Sequence, residues 1–215
     1  MKRYKRRDFL ALSAIALGAA TLSKCTGKKD TIITGGPNET FSAEEISLNR
    51  KMPRKLLMRL LDQKVDKYMA ISNNCAQSTY LALKEQFGLK DNGIVKALTA
   101  LPGIAERGET CGTVSGSLMA LGLIYGRGEE RLNDFKAYQD SLIPSGKFCK
   151  LFEEEFGSTM CCDIQKLKYG RCYHLTEPDD LAAFQAAGAT EKCSEVVKKS
   201  VQICADIILT KTEKS

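Results

Sequence analysis

Apolar residues recur at helical spacing through most of the chain after residue 53. The first run extends from Leu56 to Met69, and Pro53 fits the first turn of its helix. No stretch alternates between apolar and polar residues as a half-buried strand does. Further helices are predicted at residues 73–87, 94–101, 110–125, 129–142, 147–156, 179–187 and 191–209. We therefore expect an all-α fold, a compact bundle of about six to eight helices.

The first 52 residues follow a different pattern. A basic segment containing Arg6 and Arg7 precedes an apolar run of about fourteen residues, too short to span a bilayer comfortably. Residues 5–10 resemble a twin-arginine export signal, and the alternative is an ordinary signal peptide with two adjacent arginines. We assign residues 1–25 to a signal region and residues 26–52 to a flexible tether. Residues 53–215 form the expected helical, cysteine-rich redox domain.

Net charge and the signal restrict the partners. The chain carries a formal charge of +6, of which the first twenty residues contribute +4, so the remainder has no basic footprint for nucleic acid. Export would place the protein in the periplasm or on the outer face of the cytoplasmic membrane. Membrane contact is then expected only through the signal or a lipid anchor on Cys25, where Lys24 disfavours lipidation.

Cysteine is the unusual component: the chain has nine cysteines and a single histidine, His174. No C-x-x-C motif occurs, which excludes thioredoxin-type motifs, zinc-ribbon knuckles and ferredoxin-type runs. Covalent haem is excluded as well, because Cys172-Tyr173-His174 lacks the first cysteine of C-x-x-C-H. We expect His174 to be a surface residue. Any cysteine site must be assembled from distant segments by the fold.

Two cysteines are predicted near helix starts. Thr110 is a plausible N-cap that places Cys111 in a first helical turn, where backbone N–H groups lower the pKa of a thiol. Cys75 follows an asparagine that can cap the start of the helix to which Cys75 belongs. After Cys111, the small residues at 112, 116 and 120 allow another backbone or a cofactor to approach closely. A tight helix crossing around an inert cysteine is an equally good interpretation of that stripe.

The other cysteines have less specific surroundings. Cys161 and Cys162 are adjacent and are expected to have different partners. Cys193 and Cys204 share one face of the last helix, at a separation too long for both to hold one small site. The simplest role for four cysteines is core packing or structural disulfides: Cys149, Cys162, Cys172 and Cys204.

Four segments together resemble the redox-active family named for its C_GCAxxG_C_C cysteine pattern: residues 74–78, 107–122, 156–161 and 192–197. The second segment is specific, whereas the others support it by order and spacing. Thr113 stands where the family motif has alanine. The resemblance implies four functional cysteines, which would bind the cofactor or metal: Cys75, Cys111, Cys161 and Cys193.

The resemblance also implies a function. Split-Soret cytochromes c look like relatives of this family that also bear haem, and this likeness implies electron transfer to an unknown redox partner. We therefore expect an exported electron-transfer protein with an iron–sulfur cluster, most simply [2Fe–2S], on the four cysteines. A thiol–disulfide oxidoreductase, with Cys111 attacking and a neighbour such as Cys75 resolving, is the enzymatic alternative. A non-catalytic binding module held by four disulfides is the third.

Overall fold

Helices joined by short loops make up residues 40–210, the part of the chain that the computed structural model describes. The signal region and residues 26–39 of the expected tether lie outside this range. Within it, the one extended pairing is an isolated antiparallel bridge between Thr110 and Met160. The helices are α1 (Ala43–Lys51), α2 (Arg54–Ser72), α3 (Cys75–Phe87), α4 (Gly93–Ala97), α5 (Gly112–Tyr125), α6 (Phe135–Phe156), α7 (Cys161–Tyr169), α8 (Pro178–Ala186) and α9 (Ala189–Leu209). The predicted all-α fold is confirmed, and eight of these helices have nine residues or more.

Local sequence explains where helix α3 begins and ends. The Asn74 side chain accepts a hydrogen bond from the backbone N–H of Gln77, as expected of an N-cap. At the other end Gly88 adopts a left-handed conformation, with φ of 64°, and closes the helix. Because both ends are defined by short-range signals, the position of Cys75 at the first turn is a local property of the chain.

Helix α3 lies at the centre of the bundle and packs against α2, α5 and α9. Its Tyr80, Leu83 and Phe87 side chains are completely buried. Helix α6 packs on α5 and α9 and buries Phe148 and Phe152 in the same core. No helix in residues 40–210 is long and apolar enough to cross a membrane.

Three elements differ from the sequence-based expectation. Residues 43–51, within the expected tether, form α1, which packs on α3 and α9 by burying Ile46 and Asn49. The apolar pattern of α1 is weak because one of its two buried side chains is the amide of Asn49. The Asn49 amide donates a hydrogen bond to the Gln86 backbone carbonyl at 2.8 Å. Helix α6 continues through Pro144, where a break was expected; Pro144 is itself buried, and Phe148, Phe152 and Phe156 bury the part of the helix that follows it. Helix α7 was not predicted, because it buries only Ile164 and Gln165 and its apolar residues therefore mark no clear face.

Candidate redox site

Helix starts carry three of the four cysteines implied by the resemblance. Cys75 is the first residue of α3, Cys111 is the N-cap of α5, and Cys161 is the first residue of α7. Cys193 lies one turn into α9. The partial positive charge at a helix N-terminus favours the thiolate form at these three positions, but burial and the neighbouring thiols also act on each pKa.

The expected cap of α5 needs a correction. Thr110 does not cap the helix; its backbone pairs with Met160 in the isolated bridge, and Cys111 occupies the N-cap position itself. The pairing continues on both sides of the bridge. The Cys111 N–H donates to the Thr159 carbonyl at 2.9 Å, and the Cys161 N–H donates to the Glu109 carbonyl at 2.6 Å. These backbone bonds hold the segments before α5 and α7 together and so bring Cys111 beside Cys161.

A close crossing of α3 and α5 places Cys75 in the same site. A Cβ atom on Gly112 would lie 2.5 Å from the Cys75 Sγ, and one on Gly116 would lie 2.5 Å from the Ala76 carbonyl oxygen. Neither position has room for a side chain. The stripe of small residues therefore forms a tight helix crossing, and the same crossing brings the Cys75 sulfur up to the start of α5.

The four thiols are electrostatically coupled. A hydrogen bond with the Cys75 thiol lowers the pKa of Cys111 to about 7, and hydrogen bonds from Thr113 and the α5 backbone add to this effect. The same pairing with Cys111 holds the pKa of Cys75 well above its usual range. Burial raises the pKa of Cys161 and raises that of Cys193 to about 11, and negative charge on Cys111 adds to both shifts. A single thiolate at Cys111 is thus the favoured charge state of the reduced site.

A left-handed turn borders the site at residues 103–106. Ile104, Ala105 and Glu106 have φ values of 46°, 57° and 63°, which are strained for residues with side chains. A Cβ atom on Gly103 would lie 3.6 Å from the Cys161 Sγ, so the turn rests directly on that thiol. Burial raises the pKa of Glu106. Its charge in turn raises the pKa values of Cys161 and Cys193.

Three polar side chains contact the sulfurs. Thr113 Oγ1 lies 3.4 Å from Cys111 Sγ, Gln165 Nε2 donates to Cys161 Sγ at 3.6 Å, and Tyr169 Oη lies 3.3 Å from Cys193 Sγ. Sequence analysis missed Gln165, Tyr169 and the turn containing Glu106. The spacing of four and eight residues after Cys161 would have pointed to the first two, once a helix was expected there.

The remaining cysteines lie outside the group of four. Cys162 and Cys172 form a disulfide, and Cys204 is completely buried, with its Sγ 3.9 Å from the Ser117 carbonyl. Cys149 is half-buried and free. All eight cysteines after Cys25 are described, and they form one disulfide rather than the four of the third hypothesis. His174 is exposed, as expected, and its backbone N–H donates to Asp180.

The arrangement does not suit a single metal ion. Within residues 40–210 no three histidine, cysteine, aspartate or glutamate side chains are placed to hold one ion. A tetrahedral site with Zn–S bonds of about 2.3 Å needs its sulfurs about 4 Å apart. A mononuclear thiolate centre would therefore require the four side chains to move closer together.

Fold and site together define a helical, cysteine-rich protein with three cysteines at helix starts and a fourth within the first turns of another helix. Residues 73–207 match the family described as Putative redox-active protein (C_GCAxxG_C_C). The match covers more than half of the chain, and the chain belongs to this family. No curated protein and no solved structure matches it.

Proposed function

We propose that this protein transfers electrons through an iron–sulfur centre, most simply [2Fe–2S], held by Cys75, Cys111, Cys161 and Cys193. The observation that carries the proposal is the convergence of these four side chains from four different helices. Four thiolates are the ligand set of such a cluster. A binuclear cluster also separates its two ligand pairs further than a single ion does.

The donor set fits this group electrostatically. The hydrogen bond with Cys111 raises the pKa of Cys75, burial raises the pKa values of Cys161 and Cys193, and repulsion between neighbouring thiolates adds to all three shifts. Positively charged iron would offset that repulsion and allow all four to be deprotonated. When bound, the cluster would supply a one-electron carrier. The chain's own contribution is to hold the sulfurs, exclude water and direct polar groups at them.

A second function, thiol–disulfide exchange, is favoured by the hydrogen-bonded pair of Cys75 and Cys111. The Cys111 thiolate would attack a disulfide of a partner protein and release one partner thiolate. Cys75, after losing its proton, would then attack the mixed disulfide, so that two electrons pass to the partner and a Cys75–Cys111 disulfide forms. Cys111 is only 5% exposed, however, and a buried nucleophile has poor access to a partner's disulfide. The iron–sulfur function is therefore the stronger candidate.

Export completes the proposal. The twin-arginine pathway carries folded proteins, so a cluster could be inserted in the cytoplasm before the protein leaves it. We propose that the protein works in the periplasm or at the outer face of the cytoplasmic membrane, where it meets a redox partner protein. The signal lies outside the described residues, and the argument for export rests on the sequence of residues 5–22.

The test is an anaerobic purification followed by a visible spectrum and by iron and labile-sulfide assays. The wild type and the Cys149→Ser control should be coloured and contain iron and sulfide in equal amounts. The Cys111→Ser variant should lose both. A wild-type protein that is colourless and stays iron-free after cluster reconstitution would refute the iron–sulfur proposal and favour thiol–disulfide exchange.

A further inference from the structure

One face of α7 carries three side chains that point toward the redox site. Cys161, Gln165 and Tyr169 are spaced four residues apart and so lie above one another on the helix. Gln165 donates to the sulfur of Cys161, and the Tyr169 hydroxyl contacts the sulfur of Cys193. One short helix thus supplies a site cysteine together with polar contacts to two of the four sulfurs.

The Gln165 amide is held in one orientation. Its Oε1 accepts a hydrogen bond of 2.7 Å from the backbone N–H of Tyr173, which leaves its Nε2 directed at the Cys161 sulfur. The side chain is only 3% exposed, so water does not compete for these bonds. Cys162 follows Cys161 in the chain and Cys172 precedes Tyr173, so the disulfide between Cys162 and Cys172 holds Tyr173 close to the start of α7. The disulfide therefore supports the donor that Gln165 presents to the site.

The Tyr169 hydroxyl is held with similar restraint. It lies 3.2 Å from the Ala189 carbonyl and 3.3 Å from the Cys193 sulfur, so it can donate to either acceptor. Its ring packs against Tyr173 and Phe184, at centroid distances of 5.9 and 5.0 Å. These contacts belong to a small apolar cluster that also includes Cys193. The hydroxyl is thus held in place beside the sulfur by packing around its ring.

We propose that Gln165 and Tyr169 are positioning residues that raise the reduction potential of the redox centre through hydrogen bonds to the Cys161 and Cys193 sulfurs. This inference rests on the redox function proposed above. Reduction adds negative charge to the sulfurs, and N–H and O–H donors stabilise the reduced state more than the oxidised state. Loss of either donor therefore lowers the potential.

The experiment is an equilibrium redox titration of the full chain, comparing the wild type with Tyr169→Phe. Visible absorbance reports the transition when iron is present, and thiol counting against a glutathione redox buffer reports it when the protein is iron-free. Tyr173→Phe is the matched control. It removes a hydroxyl from the same aromatic cluster but keeps the backbone N–H that orients Gln165. Gln165→Glu is the second test variant, because a carboxylate can still accept from Tyr173 but cannot donate to Cys161.

The expected result is a fall of about tenfold in the equilibrium constant for reduction in Tyr169→Phe, about 59 mV for a one-electron centre. A Cys75–Cys111 dithiol would show no shift, because neither donor contacts its sulfurs. Gln165→Glu should shift in the same direction and Tyr173→Phe should match the wild type. A clear wild-type transition that is unchanged in Tyr169→Phe and Gln165→Glu would overturn this inference while leaving the redox function intact. A wild-type protein with no transition by either readout would overturn the redox function and this inference with it.

Discussion

The crossing of α3 and α5 allows a quantitative prediction about Gly116. An alanine Cβ at this position would lie 2.5 Å from the Ala76 carbonyl oxygen and 2.9 Å from the Thr79 Cβ, whereas ordinary contact begins at 3.4 Å. Backbone would therefore have to move by about 1 Å in a closely packed interior. Overpacking of this kind costs about 1–3 kcal/mol of unfolding free energy. Because Ala76 follows Cys75, the same displacement would disturb the redox site.

Gly122 provides the matched control on the same helix. An alanine Cβ there would have no neighbour within 4 Å, so Gly122→Ala should gain about 0.5–1 kcal/mol from helix propensity alone. Gly116→Ala receives the same gain, and the difference between the two variants isolates the packing cost of about 1–3 kcal/mol.

Urea unfolding followed by circular dichroism measures both unfolding free energies under identical conditions. Gly116→Ala should unfold at a lower urea concentration than the wild type and Gly122→Ala at a higher one. Equal stability of the two variants would refute the reasoning, because it would mean that the helices do not approach as closely as described.

Three further predictions concern the cysteines. When iron-free reduced protein is titrated with base, thiolate absorbance in the ultraviolet should rise with a midpoint near the Cys111 pKa of about 7. Cys75→Ala should move that midpoint to higher pH, because it removes the hydrogen bond that lowers the pKa of Cys111. An unchanged midpoint would contradict the pairing of the two thiols. Burial raises the pKa of Cys204, so its stabilising contribution is full below its ordinary pKa of 9.0 and is lost as pH rises. Between pH 7 and 10 the wild type should lose about 1.4 kcal/mol more unfolding free energy than Cys204→Ala. Parallel plots of unfolding free energy against pH for the two proteins would contradict the raised pKa of Cys204. Replacing both Cys162 and Cys172 by alanine should cost about 3 kcal/mol in urea unfolding, since the disulfide closes a short loop; no loss of stability would mean that the bond is absent in solution.

The sequence predicts those parts of the fold that depend on short-range signals. The asparagine cap before Cys75 and the left-handed Gly88 define α3 whatever packs around it. Helices α6 and α7 could not be predicted in the same way. Helix α6 continues through a proline that is buried together with the residues that follow it. Helix α7 buries only Ile164 and Gln165, so its apolar residues show no period. Helix α1 depends on a buried amide contact with a helix that follows more than twenty residues later.

In the redox site too, the sequence predicts the residues that depend on local signals and not those that depend on long-range contacts. Helix-start chemistry singled out Cys75 and Cys111, and the family resemblance added Cys161 and Cys193. The polar contacts to the sulfurs could not be predicted, because Gln165 acts only when a backbone N–H from a disulfide-linked loop orients its amide. The pairing of the segments before α5 and α7 is likewise a long-range event, and it joins residues about fifty positions apart in the chain.

Cysteine-resolved alkylation tests the central claim, that four cysteines act as one redox centre, most directly. Native protein purified without oxygen would be treated with an alkylating reagent before and after iron chelation, and each cysteine would be quantified by peptide mass spectrometry. The account predicts that four cysteines become reactive together on chelation: Cys75, Cys111, Cys161 and Cys193. Half-buried Cys149 should react equally in both states, and the disulfide-bonded pair should react in neither. Independent changes among the four, or a response that includes Cys149, would contradict a single shared centre.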